Sequence, residues 1–178
     1  YPIFDMKLFD WIQIKMIKRT VAHELVLQGK RKIHKPKEIK KIGVLIDSKS
    51  LLSPELIQKE LQNAGYAACR ITVLQYDASI PKNVVTTTNS FGDKDILLMG
   101  KPSPAVAHFC EQNFDLLINY FPENLPQLQL VSLRTKSKFR VGFSEVDRRL
   151  NDLIFSLPDK SPKLFFEQMN IYLKTIAN

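Results

Sequence analysis

Ile42-Gly43-Val44-Leu45-Ile46-Asp47 is a short, unbroken run of apolar, largely β-branched residues. A run this short, apolar on both of its alternating sides, reads as a parallel strand buried on both faces. Ser53-Pro54-Glu55 follows. It supplies a capping hydroxyl, a proline suited to a first helical turn and an acid facing the positive helix end. Leu56, Ile57, Leu61 and Ala64 then recur at helical spacing, and Gly65 stops the helix. A strand followed by a helix is the unit of an α/β sheet.

The unit repeats downstream. Ile71-Thr72-Val73-Leu74 reads as a second strand, Ile96-Leu97-Leu98-Met99 as a third and Leu116-Leu117-Ile118 as a fourth. Phe139-Arg140-Val141-Gly142-Phe143 and Leu153-Ile154-Phe155 read as the fifth and sixth. Residues 77–90, with their Thr86-Thr87-Thr88 run, read as a loop. Helices are expected after Ser103-Pro104, over residues 123–135, and after Ser161-Pro162, where Phe165, Met169, Tyr172 and Ile176 share a face. The predicted fold is α/β: an open, mostly parallel, Rossmann-like sheet of five or six strands with helices on both faces.

Upstream the chain changes character. Residues 1–41 hold eleven Lys/Arg against four Asp/Glu, leaving only +1 of the chain's +8 to residues 42–178. The chain therefore divides into a basic N-terminal helix and linker, 1–41, and an α/β domain, 42–178. A helix is expected from Lys7 to Gln28, ended by Gly29. At 100° per residue Lys7, Trp11, Lys15, Lys18 and Arg19 share one face. Phe9, Ile14, Met16, Ile17, Val21, Leu25 and Leu27 spread over the rest, with Leu8, Ile12 and Val26 at the basic face. The tail that follows carries Lys30, Arg31, Lys32, Lys35, Lys37, Lys40 and Lys41 against Glu38 alone, and Pro36 breaks any helix through it.

No run reaches the roughly 18 apolar residues of a membrane span. The start lacks the layout of a secretory signal, because Asp10, Gln13, Lys15, Lys18 and Arg19 interrupt its apolar residues. Cys69 and Cys110 form no CxxC pair or disulfide framework, which fits a reducing cytoplasm. A peripheral position on a membrane stays open through the arm.

In open α/β sheets ligands bind outside the carboxyl ends of the strands. That rule selects Asp47 and Lys49, then Lys101 and Ser103, then Asn119, as a candidate pocket for a phosphorylated or nucleotide-like ligand. Loop capping by Asp47 and helix capping by Ser103 compete with it. Gly100-Lys101 is not a P-loop, since Asp95 stands where a glycine is needed and Pro102 follows the lysine. GxGxxG and GxSxG motifs, a nucleophile arrangement and a metal-ligand cluster are absent from the sequence, so no catalytic residue, metal or cofactor is expected. Asp93, Asp95 and Asp115 include two acids that flank strand starts, and they read as solvent-facing edge charges rather than an acid/base pair.

Lys41 to Asp47, Gly100-Lys101, Phe114 to Tyr120 and Lys138 to Phe143 together resemble a family of small uncharacterised proteins from flavobacteria and related Bacteroidota. The resemblance covers most of the chain, implies a bacterial protein and carries no activity with it. Asp115 to Ile118 and Arg140 to Phe143 also resemble the N-terminal half of heptosyltransferase-like glycosyltransferases. Those enzymes need a second, nucleotide-sugar domain outside these 178 residues, so that likeness implies the fold rather than the reaction.

The leading expectation is a non-enzymatic binding or scaffold protein whose arm (Lys7, Trp11, Lys15, Lys18, Arg19, Lys30, Arg31, Lys32, Lys35 and Lys37) engages an anionic partner. RNA or a ribonucleoprotein comes first, an anionic membrane surface next. The alternative function is an enzyme or sensor that binds a small phosphorylated or nucleotide-like ligand at Asp47, Lys49, Lys101, Ser103 and Asn119. For the arm itself, a helix that packs on its own body or on a protein partner, its lysines merely solvated, stands level with the binding readings. A buried Trp11 would mark a packed arm and an exposed Trp11 a free one.

Overall fold

The computed structural model describes residues 2–50, 52–81, 83–84, 89–96 and 102–177, with side chains from residue 8 to 176. Helix α1 spans Pro2–Gln28, β1 Lys41–Asp47, α2 Pro54–Leu61, β2 Arg70–Tyr76 and β3 Ser90–Phe91. Then come α3 Pro104–Glu111, β4 Phe114–Tyr120, α4 Pro126–Arg134, β5 Ser137–Phe143, β6 Leu153–Phe155 and α5 Pro162–Ala177. The six strands form one parallel sheet in the order β3-β2-β1-β4-β5-β6. The order reverses between β1 and β4, so the switch point lies there.

Local chemistry starts and stops these elements. Ser53 Oγ accepts the Leu56 N–H at 3.1 Å, and Ser161 Oγ accepts the Leu164 N–H at 3.3 Å. Ser103 departs from this pattern and makes no side-chain cap on α3. The α2 segment widens into a π-turn at Gln62–Tyr66, where Gly65 sits at φ 108°, a conformation glycine adopts without strain. In β1, Gly43 leaves room for Phe114, whose ring would lie 2.7 Å from an added Cβ.

Each face of the sheet has its own core. Ile42, Val44, Ile46, Leu116, Ile118 and Val141 pack with Ile57 and Leu61 of α2 and with Phe165, Phe166 and Met169 of α5. Leu45, Leu74 and Leu117 pack with Val106 and Phe109 of α3 and Leu128 and Val131 of α4. Ile17, Val21 and Leu25 of α1 join this second core. Burying each such side chain contributes about 1.5–3 kcal/mol, so the C-terminal half of α1 is structural.

Of the run Ile96 to Met99 read as a third strand only Ile96 is described, and the third strand among the described residues lies upstream of it. It is Ser90–Phe91, at the end of the stretch read as a loop. Two residues are too few to show a period, and what holds them is Phe91, which is buried against Tyr76 with ring centroids 5.3 Å apart. Ile96 is buried directly after the turn Asp93–Asp95, outside any strand. Leu97, Leu98, Met99, Gly100, Lys101 and the threonine run lie outside the described residues.

Candidate functional site

The carboxyl end of the sheet holds most of the pocket residues expected from sequence. Asp47 is buried, and its Oδ1 accepts the Lys49 N–H at 3.3 Å, closing the turn Ser48–Ser50. Asn119 is fully buried. Its Nδ2 donates to Asn151 Oδ1 at 2.7 Å, so its amide is turned toward the loop after β5. Ser103 Oγ is buried with no partner among the described residues. Lys101 lies outside them. Asp47 and Lys49 are therefore neighbours, while Asn119 is engaged elsewhere.

Residues that the pattern did not single out shape this end. The Tyr76 hydroxyl donates to Asp93 Oδ1 at 2.7 Å, and Gln127 Nε2 donates to the same oxygen at 3.0 Å. Burial and then the Asp93 contact push the Tyr76 phenol well above its ordinary range. Asp95 is buried rather than solvent-facing, because its carboxylate accepts the Gly92 N–H at 2.7 Å and closes that turn. Among the described residues no group of three or more His, Cys, Asp or Glu is placed to hold a metal.

The amino end of the sheet is built differently. All strands run parallel, so all begin here, and so does whatever charge their first residues carry. Lys41 pairs in register with Arg70. The Phe114 N–H donates to the Lys136 carbonyl at 2.9 Å, bringing the start of β5 alongside. The tail threads across this rim and is fastened at several points. Pro36 is buried. Asp115 Oδ2 accepts the N–H groups of Lys40 and Lys41, each at 3.0 Å, and Asp115 Oδ1 pairs with Lys138 Nζ at 2.6 Å. Burial opposes ionisation of Asp115, but the Lys138 bond and the two backbone bonds outweigh it and hold the carboxyl below its usual range. This corrects the reading of Asp115 as a solvent-facing charge: it satisfies backbone donors at the tail–strand junction.

Arg31 is the second fastening. Its Nη2 pairs with Asp152 Oδ2 and its Nη1 donates to the Ser137 carbonyl at 3.0 Å. The same Asp152 oxygen accepts the Arg140 N–H at 2.8 Å. Arg140 is buried, and its Nη2 donates to the carbonyls of Ser132 (3.2 Å) and Thr135 (2.8 Å) at the C-terminal end of α4. Burial and the nearby Arg31 charge lower its pKa to about 10. The carbonyls at the helix end accept from the guanidinium, and the charge of Asp152 partly offsets the lowering. Arg31 is thus tied inward, whereas Lys30, Lys32, Lys35 and Lys37 are exposed.

A groove of about 420 Å³ runs along the rim, lined by Lys35, Pro36, Lys37, Glu38, Lys40, Asp115 and Lys138. Its two acids are occupied, Glu38 by Lys40 at 3.1 Å and Asp115 by Lys138. Lys35, Lys37, Lys41, Arg70 and Lys136 are exposed and pair with no carboxylate among the described residues. The rim therefore carries uncompensated positive charge collected from three distant parts of the chain.

Along α1, Lys15, Lys18 and Arg19 are exposed. The side chain of Lys7 lies outside the described residues. Lys18 borders an open groove of about 510 Å³ between α1, the start of α4 and the 145–149 loop. Trp11 is 53% exposed, with Lys15 Nζ 3.8 Å from its ring centroid. Its exposure does not mark a free helix, which corrects the expectation tied to it: α1 docks through Ile17, Val21 and Leu25, and Trp11 lies ahead of them in the chain.

The model of one protein family, Family of unknown function (DUF6913), matches residues 13–176. No curated protein matches the chain. No solved structure matches it either.

Proposed function

The chain belongs to the DUF6913 family, which carries no assigned activity, and we propose from its surface that it is a non-enzymatic protein that binds a phosphate-rich polyanion, RNA, across the amino rim of its sheet. One observation supports this reading most. The fold gathers Lys35, Lys37, Lys40, Lys41, Arg70, Lys136 and Lys138 onto one rim, with a groove between four of these lysines. Backbone phosphates are recognised by such point charges, and each contact releases counterions, so affinity falls as salt rises. The rim is cationic rather than apolar, as phosphate contact requires.

The test is fluorescence anisotropy of a labelled single-stranded RNA at several salt concentrations. The expected affinity falls steeply with salt, with a logarithmic slope of about −0.7 per phosphate neutralised. The triple variant Lys35→Glu, Lys37→Glu, Lys138→Glu is expected to bind at least roughly tenfold more weakly. Salt-insensitive binding, or an unchanged affinity in that variant, refutes the proposal.

A further inference from the structure

Helix α1 is apolar on two opposite sides. Ile17, Val21 and Leu25 form one side and are buried in the core. At 100° per residue the opposite side carries Leu8, Phe9, Ile12, Met16, Val26 and Leu27. All six are exposed, Phe9 at 64% and Leu27 at 57%. Eight of the thirteen exposed large hydrophobic side chains among the described residues belong to this one helix. An exposed apolar stripe of this length marks a contact surface.

The charges around the stripe identify its occupant. Lys15, Arg19 and His23 lie on the outward half of the helix. From Leu8 onward the carboxylates of α1 lie elsewhere: Asp10 is half-buried, and Glu24 turns to Arg134 of α4 at 3.7 Å. From Leu8 to Gln28 the outward half thus combines apolar residues with cations and no acid, and the one acid that helical spacing sets on that half, Asp5, precedes the stripe. Trp11 stands at its margin, cupped by Lys15. The exposed cations Lys30 and Lys32 follow at the helix end.

We propose that this outward face of α1 lies flat on an anionic lipid surface, with Phe9, Ile12 and Met16 entering the acyl boundary and Lys15, Arg19, Lys30 and Lys32 meeting the headgroups. Such a helix lies in the interface rather than crossing it, and no described helix is long and apolar enough to cross a membrane. A second copy of the chain fits the stripe less well, because antiparallel pairing of α1 with α1 about its middle sets Lys15 close to Lys15. RNA fits less well because its phosphates would cover six apolar side chains. This face is distinct from the rim assigned to RNA, so each stands or falls alone.

The experiment uses the full chain with vesicles of phosphatidylcholine alone, and of phosphatidylcholine with phosphatidylglycerol. Co-sedimentation and Trp11 emission are read together. The expected result is binding to the phosphatidylglycerol vesicles with a blue shift of Trp11, little binding to phosphatidylcholine alone, and at least a tenfold loss in the variant Ile12→Asp, Met16→Asp. The Lys35→Glu, Lys37→Glu, Lys138→Glu variant, impaired for RNA, is expected to keep the Trp11 shift. Failure to bind either vesicle, or equal binding by the Ile12/Met16 variant, overturns the inference. So does loss of dimer in light scattering, or loss of RNA affinity, on the Ile12/Met16 change, since these assign the stripe to a second copy or to RNA.

Discussion

Gly142 shows how far one missing side chain reaches. A Cβ there would stand 2.4 Å from Asn151 Nδ2 and 2.8 Å from its Cγ. Asn151 in turn receives the hydrogen bond of the fully buried Asn119. Gly142→Ala is therefore expected to destabilise the protein by about 1–3 kcal/mol through overpacking, read from the denaturant midpoint. Combining it with Asn151→Ala should cost less than the two changes summed, because the second removes the obstacle to the first. Additive costs would mean that the clash is not what the glycine avoids. Sequence pattern exposed half of this arrangement. A glycine between Val141 and Phe143 points to a bulge or to close packing, but nothing at position 151 announces its partner. Asn119 had the same ambiguity: its place at the end of a strand suggests a ligand, and only the fold shows it turned to Asn151.

Among the elements, α1 was the hardest to read. The strand and helix runs of the body are legible because each buries a continuous run or a single stripe. An element with two opposed apolar sides shows no clean division, and cations interleaved with both sides hide which one docks. Ile17, Val21 and Leu25 dock because their four-residue spacing keeps them on one line over α4 and the sheet. Val21→Asp is expected to lower stability by about 3 kcal/mol or more, since it places an unpaired charge in the core. Ile12→Asp is expected to change it by no more than about 0.5 kcal/mol. Thermal denaturation of the two variants checks this, and equal effects would mean that the two sides of the helix are not distinct. The short β3 was invisible for a different reason: two residues carry no period, and pairing with β2 defines them.

At the scale of the molecule, α1 and the tail act as a strap fastened at Asp152, at Pro36 and at Asp115. The last fastening is sensitive to acid. The Asp115 carboxyl has a folded pKa held below its ordinary value of 3.8. Its stabilisation is complete above that ordinary value and is lost as pH falls through the depressed one. Asp115→Asn is expected to cost about 1 kcal/mol at pH 7, allowing for solvent screening at the exposed Lys138. That difference should vanish toward the depressed pKa in acid. Urea midpoints across pH for the two proteins measure it, and a gap that persists at the lowest pH would remove the charge from the explanation. The strap's cations were legible from sequence as a group, but their destination was not: Arg70, Lys136 and Lys138 look unremarkable until parallel pairing sets every strand start on one rim. The lengths of the outer strands have a separate consequence. The sheet ends in Ser90–Phe91 on one side and Leu153–Phe155 on the other, while the four strands between them have seven residues each. Each margin is therefore stepped: β3 pairs only with Gln75 and Tyr76 of β2, and β6 only with Val141 to Phe143 of β5, so a foreign strand meets no straight outer strand of full length. Short outer strands are one of the devices that blunt a sheet edge, and here they stand in a chain whose largest exposed apolar surface is on α1.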